Sequence, residues 1–191
     1  EMARELQQRY PPDPDATVLL MGWNNIPVRA EKSLYDLAMW CRERPGLSAA
    51  VLSIASRDLV GRLQKHEPPA GVEPTEWAEL GRRFGQHLKE FGHIVFQLDF
   101  AAPLPLDDPA PMLETVKMYL QGKGVNPHER QRAREATRQR TATETVSRLR
   151  GFKRWAFKTA LHWGQSMAEV REDALAEIGL AYPMIREALL E

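Results

Sequence analysis

Apolar positions along the chain recur in helical rhythm. Trp77, Leu80, Phe84, Leu88 and Phe91 are spaced by three, four, four and three residues. That spacing lays one apolar stripe along a helix. Pro74 suits its first turn, and Gly92 marks its end. A similar stripe of Val28, Leu34, Leu37, Ala38 and Cys41 predicts a helix from about Pro27 to Arg44, closed by Pro45-Gly46. A further helix is expected from Leu47 to about Lys65, with Val51, Ile54, Leu59, Val60 and Leu63 inward. Met112, Leu113, Val116, Tyr119 and Leu120 predict a short helix that stops at Gly122-Lys123-Gly124.

From Asn126-Pro127 the pattern stays helical to about Val170, with Val146, Leu149, Phe152, Trp163 and Met167 among its apolar positions. At about 1.5 Å per residue such a helix is roughly 60 Å long, and Gly151 and Gly164 are the points at which it would kink. A final helix is expected around Leu175, Ile178, Leu180, Ile185 and Leu189, with Gly179 and Pro183 as breakers. An opening helix around Leu6 ends before Pro11-Pro12-Asp13-Pro14, and a tight segment leads through Val18 to Gly22. Ile94 to Phe100 is the only run with β-branched and aromatic content, and one short run does not make a sheet. The expected fold is all-α: a multi-helix, bundle-like domain with one long helix in its C-terminal half and at most a minor β element near 94–100. The reading is one domain over 1–191, with 1–125 and 126–191 as its subdivision. Both ends lie inside helical patterns without stop signals, which suggests a piece of a larger chain.

Composition narrows the function. The chain has 191 residues, 43% of them hydrophobic, enough for a core. Its 26 basic and 26 acidic residues cancel, so no global field draws it to nucleic acid or an anionic membrane. No apolar run approaches the ~20 residues that span a bilayer, and no signal peptide is visible. The single cysteine, Cys41, lies in an apolar helical run and reads as a buried structural thiol in a reducing, cytoplasmic setting.

Complete catalytic motifs are missing. The five histidines are His66, His87, His93, His128 and His162, and no two stand four apart as ligands on one helix face. There is no Gly-x-Ser-x-Gly, and Gly122-Lys123-Gly124 lacks the long loop and following Ser/Thr of a phosphate cradle. Residues 129–158 hold ten basic residues against three acidic ones, with Phe152, Trp155 and Phe157 interleaved. That stretch is the basis of one alternative, a non-enzymatic helical module binding nucleic acid through Arg130–Lys158. A solvated helix with locally paired arginines is the simpler reading, with no nucleic acid as partner. The corner from Gly92-His93 to Leu98-Asp99 sets a histidine six residues from an aspartate, either as a polar site or as a hydrogen-bonded pair fixing a loop.

The order Gly92-His93, Leu98-Asp99, Pro103 and Asp107-Asp108-Pro109, followed by a charged helix and Arg171-Glu172, resembles the phosphoenolpyruvate-synthase-like phosphotransferases, including rifampicin phosphotransferases. Leu20-Met21-Gly22 and Leu34-Tyr35-Asp36-Leu37-Ala38 resemble an earlier part of the same helical region. The chain departs from that pattern at Ile94, Gln97 and Leu104-Pro105, where the family often has Arg, Glu and Arg-Trp. The resemblance implies a central helical domain between an ATP-grasp domain and a swivelling phosphohistidine domain of the same parent chain. It implies a small-molecule acceptor, with His93, Gln97 and Asp99 as substrate-binding residues and Arg171-Glu172 as a structural ion pair. It implies no cofactor or metal in this segment, with ATP and Mg expected in the parent enzyme.

Overall fold

A computed structural model describes residues 14–94, 103–182, 184, 185 and 188. Among them the chain forms seven α-helices and no strand, so the fold is all-α. The helices are α1 (Ile26–Arg42), α2 (Pro45–Ser53), α3 (Ser56–Gln64), α4 (Pro74–Phe91), α5 (Ala110–Leu120), α6 (Pro127–Arg148) and α7 (Gly151–Glu177). Short 3₁₀ turns run over Pro14–Leu20 and Ile178–Leu180. No helix is long and apolar enough to cross a membrane among the described residues. The expected opening helix and the β-like run beyond Ile94 fall outside the described residues. The chain divides into two compact units: the described residues up to Asn24 with His128–Arg171, and Asn25–Pro127 with the described residues from Glu172 onward.

In the second of these units, five helices bury their stripes on one another. Leu34, Leu37, Ala38 and Cys41 of α1 meet Leu113, Val116 and Tyr119 of α5 in a core shared with Leu47, Leu59, Trp77 and Leu80. Helix α1 starts as its sequence predicts: the Asn25 side chain accepts from the Val28 amide at 3.2 Å, and Pro27 occupies the first turn. Helix α4 buries Trp77, Leu80, Phe84 and Phe91, with His87 on the same face.

The single helix expected over Leu47 to Lys65 is two helices. Ile54 and Ala55 are extended, with ψ of 137° and 142°. Lys117 fixes this break. Its ammonium donates to the Ile54 carbonyl at 2.6 Å and lies 3.5 Å from Glu114 Oε1. Ser56 Oγ donates to that same carboxylate. A carbonyl released at a helix end is thus met by a nearly buried cation whose stem lies in the core.

In the unit around α6 and α7, Leu19 to Trp23 is strapped to the helices by side-chain donors. Gln165 Nε2 reaches the Leu19 carbonyl at 3.0 Å, Arg138 Nη1 the Met21 carbonyl at 2.8 Å, and Gln131 Nε2 the Gly22 carbonyl at 3.2 Å. The Arg138 guanidinium lies 3.5 Å from the centre of the Trp23 ring and 3.8 Å from Glu135. Gly22 adopts φ +82°, and a Cβ there would stand 2.7 Å from the Glu135 nitrogen. Only glycine gives both that conformation and that approach.

The uninterrupted 60 Å helix is corrected in the same unit. Helix α6 stops at Arg148, Leu149 and Arg150 form the connection, and Gly151 opens α7 with φ +53°. The left-handed glycine breaks the helix rather than kinking it. Gly164 does not break it: it sits within α7, where an added Cβ would stand 3.4 Å from Leu20 Cδ2. Helix α7 also runs past Val170 to Glu177, without the expected separation before Leu175.

Two substitutions test these joints. Lys117→Met keeps the stem's volume but leaves the Ile54 carbonyl unmet, and is expected to cost about 2–3 kcal/mol in urea unfolding. Arg138→Leu strands the Met21 carbonyl and uncovers Trp23, with an expected cost of about 2–3 kcal/mol. A loss below about 0.5 kcal/mol in either case contradicts the joint it removes.

Candidate functional site

His93 follows Gly92 at the end of α4, and its side chain is half-buried. The helix stop is built locally: the Gly92 amide donates to Leu88 O at 2.7 Å, and Gly92 O accepts from the Leu106 amide at 3.0 Å. Gln97 and Asp99 fall outside the described residues, so of the three expected contacts only His93 is placed. Both described departures from the family pattern point inward. Ile94 is 4% exposed and packs with Ile26, Phe91 and Ala176. Leu104 is buried, and so is Pro105. Arginine or tryptophan would not fit those positions without repacking, so apolar residues there complete the core.

The aspartates after Pro103 serve the backbone. Asp107 Oδ2 accepts from the Leu104 amide at 3.1 Å, and Asp108 Oδ1 accepts from the Ala110 amide at 3.2 Å. Asp108-Pro109 is thereby the start signal of α5. Asp173 has a similar role, accepting from the Ile26 amide at 2.7 Å. The expected Arg171–Glu172 pairing falls outside what is described, because the Glu172 side chain is not placed.

Two potentially reactive groups are withdrawn into the core. Cys41 is fully buried, as its apolar run predicts, and burial pushes its thiol up to about 12 against the opposing pull of Arg44 and Arg83. His87 is 4% exposed. It shares a 3.1 Å hydrogen bond with Ser33 Oγ, lies parallel to the Phe84 ring and meets the Phe91 ring at a tilt of 46°. Burial holds its pKa down to about 4, so the ring is neutral at physiological pH.

Outside the core, two cation-rich arrangements stand out. Arg44, just before α2, and Arg83 of α4 lie 4.2 and 4.8 Å from the centre of the Trp40 ring on α1. Arg82 and Arg83 both bond Glu79, and these bonds hold its carboxyl down to about 2. These guanidiniums are neutralised in place. The second lies along the hairpin of α6 and α7, where a groove of about 450 Å³ is walled by Arg154, Lys158, His162 and Gln165 on one side and Thr143 and Ser147 on the other. Spacings of four residues put Arg154, Lys158 and His162 on one face of α7. That spacing is visible in the sequence, and His162 extends the row one turn beyond Lys158, where the basic stretch ends. Arg138, counted within that run, faces inward instead.

Helix α7 also carries an apolar stripe turned to solvent. Phe152, Trp155, Trp163, Met167 and Val170 are each more than 60% exposed. At about 100° per residue they fall within roughly 120° of one another.

The His87 environment has a pH signature. An unfolded histidine titrates near 6.5. The folded chain therefore keeps its full stability above about pH 6.5 and loses it as pH falls through about 4, where the unfolded state has taken a proton the folded state refuses. The loss amounts to about 3 kcal/mol over that window. His87→Phe is expected to flatten it, measured as unfolding free energy at pH 7 and pH 4.5; an unchanged slope contradicts the assignment.

Neither a curated protein nor a solved structure matches the chain. The family model described as the rifampicin phosphotransferase fourth domain matches residues 1–172. That span takes in α1 to α6, nearly all of α7, His93, Asp107 and Asp108. The chain belongs to the family of the rifampicin phosphotransferase fourth domain.

Proposed function

We propose that this chain is the substrate-side helical domain of an ATP-dependent, phosphohistidine-type phosphotransferase. The observation that carries the reading is the family match over residues 1–172. The state of the side chains supports it. Cys41 and His87 are buried and held in their neutral forms, which suits a scaffold that leaves phosphoryl transfer to other domains. The acceptor is a small molecule, in the first instance a rifampicin-like one. His93 supplies a polar contact to it, with Gln97 and Asp99 completing the corner. The exposed Phe152–Val170 stripe of α7 is where a neighbouring domain of the same parent docks, since contiguous apolar surface of this kind marks an interaction site.

The test uses the full parent protein. Its expected activity is ATP-dependent phosphorylation of rifampicin, read as added phosphoryl mass on the acceptor. Trp155→Ser with Trp163→Ser is expected to lower kcat about tenfold or more, because two central aromatic anchors are lost from the docking face. His93→Ala is expected to raise KM with kcat less affected. A parent gene encoding neither an ATP-grasp nor a swivelling histidine domain overturns the reading. So does phosphoryl transfer by this chain alone.

A further inference from the structure

The groove between α6 and α7 has the chemistry of an anion site. Arg154, Lys158 and His162 stand one above another along α7 and span about 12 Å of its axis. The facing wall carries Thr143, Val146 and Ser147, whose two hydroxyls donate to the Gln139 and Glu144 carbonyls of their own helix. Among the described residues no carboxylate lines the groove, and Glu144 on α6 stays outside the lining. Among the described residues, Arg154, Lys158 and His162 have no acidic partner, whereas Arg44, Arg82, Arg83 and Arg138 each have a glutamate within 4 Å. Arg154 lies in the first turn of α7, where the helix dipole adds positive potential. The second groove, beside α3, differs: it has Arg57, Arg62 and Lys65, but Asp58 and Glu67 line it too.

The Arg154 guanidinium and the Lys158 ammonium, with no acidic partner among the described residues, create a local positive field that solvent and salt screen only in part. A volume of about 450 Å³ suits a small molecule. An elongated anion offers oxygens at more points along this row than a lone phosphate does. The geometry points to a binding site for a di- or triphosphate group, held by the Arg154 guanidinium, the Lys158 ammonium and the His162 ring, with α6 closing the groove opposite. Arg154 supplies the planar fork that matches phosphate oxygens, and Lys158 the point charge. The site stands independently of the acceptor reading, because no residue of the His93 corner takes part in it.

The probes are inorganic phosphate, pyrophosphate, tripolyphosphate and a single-stranded oligonucleotide, titrated into the full chain by calorimetry. Pyrophosphate and tripolyphosphate are expected to bind one to one, at least about tenfold more tightly than phosphate, and to weaken as salt rises from about 50 to about 200 mM. Arg154→Gln with Lys158→Gln is expected to weaken binding at least about tenfold. Thr143→Glu, which sets a carboxylate on the opposite wall, is expected to do the same by a separate route. All three side chains are exposed, so helicity is expected to hold. Arg57→Gln with Arg62→Gln, in the groove beside α3, is expected to leave binding unchanged. Any of four results overturns the site: no binding at millimolar pyrophosphate, equal affinity for phosphate and pyrophosphate, equal weakening by the α3 control, or an oligonucleotide that binds more tightly and displaces pyrophosphate.

Discussion

The packing of α1 against α5 is the contact on which the five-helix unit rests. Ala38 and Cys41 are small and fully buried on α1, which lets α5 approach closely. Leu113 and Val116 on α5 are fully buried as well. Each such side chain contributes about 1.5–3 kcal/mol on leaving water. Tyr119 then fixes the register: its ring meets Tyr35 edge-on at 5.2 Å, and its hydroxyl donates to Glu31 at 2.8 Å. With α5 held this way, Lys117 on the same helix meets the carbonyl at the end of α2. The break between α2 and α3 is therefore a consequence of where α5 sits.

That dependence explains what the sequence shows and what it hides. The α4 stripe from Trp77 to Phe91 and the proline starts of α1 and α4 are local signals, and the structure has them where they were read. The break at Ile54 is not local. Its cause is Lys117, 63 residues away, so periodicity alone carries one helix through to Lys65. Gly151 is a middle case. A glycine in a helical pattern reads equally as a tolerated residue, a kink or a stop, and its φ of +53° decides for the stop. The strap from Leu19 to Trp23 has a sequence trace only in Gly22; its partners Gln131, Arg138 and Gln165 look like surface residues of a polar helix.

The site is less readable than the fold. Asp107 and Asp108 belong to the motif that carries the resemblance, yet each accepts from a backbone amide and sets a turn or helix start, as Asp173 does at the head of α1. Ile94 and Leu104-Pro105 look like losses from a polar corner, yet they are buried and complete a core. Short acidic and apolar motifs carry no mark of which way they face. The histidines divide for a physical reason as well. His87 falls on the apolar face of α4 and is neutralised by burial, whereas His162 stands on the open face of α7.

Net charge illustrates how an average misleads. Equal numbers of acidic and basic residues argue against attraction of anions by the chain as a whole. A field of that kind acts over many ångströms, but salt screens it with a length of about 8 Å at physiological ionic strength. Glu169, on the same helix as Arg154, is fifteen residues away, or about 22 Å along the axis. At Arg154 its charge is largely screened, although it stands only seven residues, or about 10 Å, beyond His162. Beside Arg154 and Lys158 the local arrangement governs: two cations and a histidine along one wall, and no carboxylate in the lining among the described residues. Anion binding at short range depends on that segregation of charge along α7, which summation over the chain removes from view.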